Sequence, residues 1–202
     1  RARLAREEAA RLKTEQERLA REQAERDRLA QADQAAPVAA LAAVRDLFDQ
    51  RDVRRTVQVR VPKNELRIGK DPLELTLSSS HDGYVYILLL GSDETSFYLL
   101  YPNGLDKDNR IKARTPLKLP RPSWQLTAQG PAGTDRLLIM VTEQPRDLSA
   151  LSLKPADAGS PFLATSADLN GRRKLIDFMV GEGVKSGSPR FAAEWLTIRE
   201  VP

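Results

Sequence analysis

The chain predicts a mainly β fold: an antiparallel β-sandwich-like domain with peripheral helices, preceded by a long charged N-terminal helix. Three observations carry that prediction. Residues 83–103, GYVYILLLGSDETSFYLLYPN, hold two dense apolar runs split by a short polar segment, the pattern of buried strands joined by a hairpin. A spacing of two runs along Val57, Val59 and Val61 and again along Leu73, Leu75 and Leu77, as half-buried strands require. Helix-forming patterns, by contrast, gather toward the ends, so strands dominate the middle of the chain.

Taken in order, residues 1–34 consist mostly of Ala, Leu, Arg, Glu and Gln, with no Gly, Pro or aromatic, and predict one helix. Acid and base recur four apart at Glu7 with Arg11, Glu17 with Arg21 and Glu22 with Arg26, each pair adding about 0.2–0.5 kcal/mol. A heptad frame through Ala5, Leu12 and Leu19 next meets Arg26, and its companion positions Glu8, Glu15 and Glu22 are acidic until Leu29. That seam is broken, so a solvated spacer or a weak coiled coil is expected, with context-dependent oligomerisation. Pro37 is expected to stop this helix, and residues 37–50 then predict a short second one with Val38, Leu41, Val44, Leu47 and Phe48 on its apolar face. The expected organisation is a spacer over 1–36, a linking helix over 37–52 and a β-domain over 53–202.

Beyond the hairpin, a Pro-flanked piece at 115–119, a strand at 124–128 and a strong strand at 136–142 are predicted, and the strands as a set are separated by turns at HDG 81–83, PNG 102–104 and GPAG 130–133. One or two helical turns are expected at 146–151, a loop at 154–161, a helix from Ser166 to about Val180, a loop at 181–189 and a last strand at 191–201.

Composition narrows the function classes. The 202 residues are 41% hydrophobic, enough for a sizeable core, and the net charge of +4 is the small difference between 32 basic and 28 acidic residues. Charge so mixed argues against nucleic acid as a partner. Without Cys, and with His81 alone, disulfides, thiolate chemistry and the usual zinc sets are excluded, and no cofactor is expected. The longest apolar run, 85–90, is far short of the ~20 residues of a membrane helix, so membrane attachment is expected only through an anchor outside this sequence. The chain opens on Arg1 rather than Met and is expected to be a piece of a longer polypeptide.

Candidate sites are few. Ser78, Ser79, Ser80, His81 and Asp82 contain the residue types of a hydrolase triad, but neighbours in sequence cannot form its chain of hydrogen bonds, and a turn is predicted. Asp106, Asp108 and Asn109 crowd oxygen ligands as a calcium loop would, yet Ile111 stands where an EF-hand needs Gly and Leu117 where it needs Glu. Gly130 and Gly133 lack the Lys-Ser or Lys-Thr of a phosphate loop. Arg51, Arg54, Arg55, Arg60, Lys63, Arg67 and Lys70 make the densest basic stretch, and Arg54 and Arg60 are candidates for a shallow basic strip. Tyr98, Tyr101 and Trp124 are the candidate binding aromatics, provided they reach the surface.

An ordered string of short motifs carries a resemblance: LRIGK at 66–70, DGYVY at 82–86, LYPN at 100–103, DNRI at 108–111, LP at 119–120, GPAGTD at 130–135 and PRDL at 145–148. Over residues 53–201 the chain resembles a bacterial family of uncharacterised β-rich domains. Members of that family stand at the C-terminal, extracytoplasmic end of membrane-anchored Ser/Thr protein kinases and beside caspase-like peptidase domains. The resemblance implies a periplasmic sensing or protein-interaction module, facing an envelope protein or cell-wall component, with no catalytic residue to carry over; a cytoplasmic setting is the alternative. No kinase Gly-rich loop, H-R-D or D-F-G occurs in this sequence. Two other functions stay open: a hydrolase of envelope glycan or peptide built on Asp82, Asp106 or Asp135, and a structural part of a secretion or envelope assembly.

Overall fold

The computed structural model describes residues 2–94, 96–151, 153–166 and 190–202. The helix expected from Ser166 to about Val180 and the loop after it lie outside the described residues, save Ser166 itself, which ends a strand. Contacts divide the chain into two units, Arg1–Ala36 and Pro37–Pro202.

One helix, α1, is assigned over Ala2–Asp49, through Pro37. The predicted stop is therefore absent, and the separate linking helix is the end of α1. Proline forfeits one backbone hydrogen bond and costs about 3 kcal/mol inside a helix. Ala35, Ala36, Ala39, Ala40, Ala42 and Ala43, the best helix formers, surround it and offset that cost. Within the first unit the side chains at 13–28 are exposed, Leu19 included, and Arg18 reaches Glu22 at 3.5 Å.

Within the second unit, eleven strands are described: β1 Val57–Arg60, β2 Glu65–Arg67, β3 Leu75–Ser79, β4 Gly83–Leu90, β5 Ser96–Tyr101, β6 Arg110–Ile111, β7 Leu117–Leu119, β8 Gly133–Thr142, β9 Lys154–Pro155, β10 Leu163–Ser166 and β11 Phe191–Val201. A small sheet has the order β1-β3-β7, and a large one β2-β11-β8-β4-β5-β10-β9 with β6 on β4. Pairing is antiparallel except β2 on β11, which is parallel.

The two sheets enclose one core: Val57, Leu75, Leu77 and Leu119 from the small sheet meet Val85, Ile87, Leu137, Ile139, Val141 and Ile198 from the large one. Alternate residues of the same strands, Tyr86, Leu88, Leu90, Leu138 and Met140, point to the other face. There they meet Val44 and Leu47 of α1 and Leu151 of a 3-10 turn, Leu148–Leu151. Both faces are thus covered, which is why β4 and β8 read as continuous apolar runs rather than alternating ones. Gly83 opens β4 because a Cβ there would collide with the carbonyl oxygen of Thr142 on β8.

The strand predicted at 124–128 does not form. Its would-be partner contains Pro72, which stands opposite Thr127 in an isolated bridge and has no N–H for a ladder. Leu73 and Ala128 still donate their N–H groups to Leu126 and Asp71, so the segment is held as a loop. The segment 154–161, predicted as loop, opens with the two-residue β9, and β2, β6 and β10 were not predicted either.

Candidate functional site

A cleft of about 680 Å³, within the size range of small-ligand sites, opens at one end of the large sheet. Four segments frame it: the β4–β5 turn with Gly91, Ser92 and Asp93; the 125–131 loop; the 156–162 loop; and the facing ends of β8 and β11. Leu89, Tyr98, Leu100, Leu126 and Phe162 give it an apolar lining, while Asp93, Asp135, Asp157 and Glu200 supply charge. Among the described residues lining it there is no Lys, Arg or His.

Asp135 and Glu200 follow from strand register. Asp135 lies across from Ile198, and Glu200 across from Gly133, so both acids share a face with Ile198 and stand diagonally to one another. On β8 that face continues through Leu137, Ile139 and Val141 into the core. The acids therefore occupy the outermost places of a row that is otherwise apolar, and they are only 8% and 9% exposed. Both are buried, and none of the ion pairs among the described residues joins either of them to a base. Glu200 Oε2 accepts the Gly130 N–H at 2.6 Å, and Ser92 lines the cleft together with Asp135. Burial, then the neighbouring Glu200 carboxyl, push the Asp135 carboxyl up to about 7.

The two turns also touch each other. Ser92 Oγ donates to the Pro131 carbonyl at 3.0 Å, and a Cβ on Gly133 would sit 2.7 Å from Ser92 Cβ, so glycine permits this approach. The neighbouring bases are occupied: Arg136 pairs with Glu94 at 2.8 Å and Arg199 with Glu65 at 3.5 Å.

The sequence-predicted residues fall in several places. Tyr98 lines the cleft, half-buried. Tyr101 and Trp124 do not reach the surface: they are 0% and 5% exposed, stacked with ring centroids 6.3 Å apart. Trp124 Nε1 donates to Asp106 Oδ2 at 3.1 Å, the Tyr101 hydroxyl donates to the Asp108 carbonyl, and burial raises the Tyr101 phenol above its ordinary value. Tyr101 on β5 and Trp124 on the loop after β7 both fill the core, and their polar tips need partners there.

The Asp106 loop is likewise spoken for. Asp106 is buried and accepts Arg121 at 2.9 Å as well as Trp124; Asp108 pairs with Arg110 at 2.8 Å, which with its hydrogen bonds lowers the Asp108 carboxyl. Asn109 Nδ2 donates to the Val85 carbonyl at 2.9 Å. These oxygens and amides fix a loop against β4, and among the described residues no group of His, Cys, Asp and Glu is arranged for a metal.

The basic stretch does not form a continuous strip. Arg54 and Arg55 turn onto Asp52, Arg55 also onto Glu143, Lys63 and Arg67 onto Asp71, and Arg51 stacks 3.8 Å over the Phe48 ring. Hydrogen bonds from Arg67 hold the Asp71 carboxyl well below its usual range. Arg60 lines a separate polar groove of about 480 Å³ on the small sheet, with Arg114, Ser78 and Ser80.

Nor does a hydrolase constellation form from the predicted residues. Ser79 Oγ lies 3.3 Å from His81 Nδ1, but Asp82 is engaged by the Ala113 N–H at 2.7 Å. Of Asp82, Asp106 and Asp135, only Asp135 lines the cleft. Its partner Glu200 went unnoticed in the sequence, although an acid two places beyond Ile198 on an inward-facing row was the available signal.

Comparison with known proteins adds one finding. Residues 65–145 match the family described as Domain of unknown function (DUF4384). No curated protein and no solved structure matches the chain. The matched stretch runs from β2 through β8 and carries the buried Tyr101–Trp124–Asp106 network and Asp135, whereas Glu200 and the 156–162 loop lie beyond it.

Proposed function

We propose that this chain is a non-catalytic sensing or protein-interaction module and that the cleft beside Asp135 and Glu200 is where its ligand sits. The cleft itself carries the reading: it has ligand-sized volume, an apolar lining and a few polar groups, the usual make-up of a binding site. Its two buried carboxyls argue for binding over hydrolysis. They stand on one face of two adjacent strands, whereas a glycosidase pair flanks the scissile bond. The resemblance to kinase-linked domains supports reading the module as extracytoplasmic and joined to a membrane-anchored Ser/Thr kinase or another envelope protein; the match of residues 65–145 goes only as far as an uncharacterised domain family. The ligand in this reading is a cell-wall fragment or a segment of an envelope protein.

Titration of the isotope-labelled chain with soluble muropeptides tests it. Amide shifts are expected at Tyr98, Gln129, Gly130 and Phe162, with binding weakened at least tenfold by Leu126→Trp, which fills the cleft. Turnover of muropeptides that Asp135→Asn abolishes would refute the non-catalytic reading, and absence of shifts at these residues would remove the cleft as a cell-wall site.

A further inference from the structure

The geometry points to a proton-operated latch at the mouth of the cleft: the Asp135–Glu200 pair, while it holds one proton, clamps the β4–β5 turn to the 129–131 turn, and loss of that proton releases both. This rests on the reading of the cleft as a binding site and names how that site is regulated. Two carboxyls buried side by side on one face of paired strands cannot both ionise without strong repulsion, so one member keeps a proton. Here the pair also sits where the two turns are tied. Glu200 takes the Gly130 N–H at 2.6 Å, Ser92 Oγ ties the β4–β5 turn onto the Pro131 carbonyl at 3.0 Å, and Gly133, across from Glu200, lets Ser92 pack against β8 two places from Asp135. Gly91, Ser92, Asp93, Gly130 and Pro131 all line the cleft, so movement of either turn changes its width.

The charges facing the pair favour keeping the proton. From β11 comes Glu200, from the β4–β5 turn Asp93, and both raise the affinity of Asp135 for its proton. Asp157 lines the cleft from the 156–162 loop. Arg136 and Arg199, the chain neighbours of the two acids, are paired with Glu94 and Glu65. No basic group among the described residues is ion-paired with Asp135 or Glu200, so ionising the second carboxyl leaves two buried negative charges with nothing to balance them. Separation of the carboxyls, with entry of water between the turns, is the available relief. The ionised cleft is then wider and more negative.

The test is a pH titration of the free 202-residue chain by amide NMR from pH 5 to 9. The Ser92 and Gly130 amides are expected to shift together with a midpoint near 7, and to lose protection from hydrogen exchange above it beyond what hydroxide catalysis alone gives. Asp135→Asn places an amide donor against Glu200 and should lock both resonances at their low-pH positions. Glu200→Ala should leave Gly130 unprotected at every pH, while amides of β3 and β7 confirm that the variant is folded. Absence of a shared midpoint in the wild type, or a midpoint that persists in Asp135→Asn, overturns the latch. Muropeptide affinity is expected to differ at least fivefold between pH 6 and 8 in the wild type and not in Asp135→Asn. Latching without any muropeptide binding would refute the proposed function alone, and binding without the shared transition would refute the latch alone.

Discussion

Asp106 illustrates how a residue that looks like a ligand donor in sequence can be structural. Its two oxygens are divided between the Arg121 guanidinium and the Trp124 indole N–H, and its burial makes both bonds matter. Removing an acceptor from a buried donor costs about 1–3 kcal/mol, because the donor gives up water without compensation. Asp106→Ala is therefore expected to destabilise the domain by about that amount, the Trp124 N–H being the larger loser since Arg121 keeps some contact with solvent. Denaturant unfolding followed by Trp fluorescence measures it, and an unchanged midpoint would contradict the role given to Asp106. Ile87 makes the complementary case for pure packing. It is 1% exposed between the two sheets, so Ile87→Ala should cost about 2–5 kcal/mol, a large-to-small change with little room to collapse.

At the level of elements, the strands with unbroken apolar runs were legible, and the short ones were not. β4, β5, β8 and β11 each carry enough Val, Ile, Leu and aromatics to announce themselves. β2, β6, β9 and β10 have two to four residues and exist because a longer neighbour offers a free edge, a tertiary cause that no local pattern records. The loop at 124–128 failed as a strand for a related reason: its apolar alternation was right, but the prolyl residue deciding the outcome lies about fifty positions away in the chain, at Pro72. The cleft was less legible still. Tyr98 was named as a candidate, yet Asp135 and Glu200 are 65 residues apart, and only the β8–β11 register brings them together.

The same reasoning separates the two parts of α1. Its last turns place Val44 and Leu47 under the second face of the large sheet, with Phe48 edge-on to Trp195 at 6.4 Å and the Asp52 N–H bonded to Phe191. Leu47→Ala is therefore expected to cost about 2–5 kcal/mol. The side chains at 13–28 are exposed, so deleting residues 1–34 should leave the melting temperature of the β-domain nearly unchanged. Thermal unfolding of both variants decides the matter; a large drop on deletion would mean that the N-terminal stretch, and not only 37–49, supports the core.

For the whole molecule, stability against pH is a sum of opposing linkages, and their signs can be worked out. Asp52, Asp71, Asp108 and Asp147 have carboxyls held below the ordinary value by hydrogen bonds, so their contributions are present above the unfolded value near 4 and vanish as pH falls through the lower folded values. His81, pushed down chiefly by burial, is neutral in the fold over a range where the unfolded chain would be charged, so its contribution grows as pH rises toward 6.5. Asp135 runs the other way. Its folded value lies above its unfolded one, so the native state holds the extra proton between about 4 and 7, and the stability this confers is lost as pH rises through that window. Between pH 5 and 8 the wild type therefore combines a His81 gain with an Asp135 loss, while Asp135→Asn should retain the gain and shed the loss. The melting temperature of the wild type minus that of Asp135→Asn is expected to fall steadily from pH 5 to 8 and to level off above it. A difference that stays flat, or rises, would show that the carboxyl pair does not hold its proton in the fold.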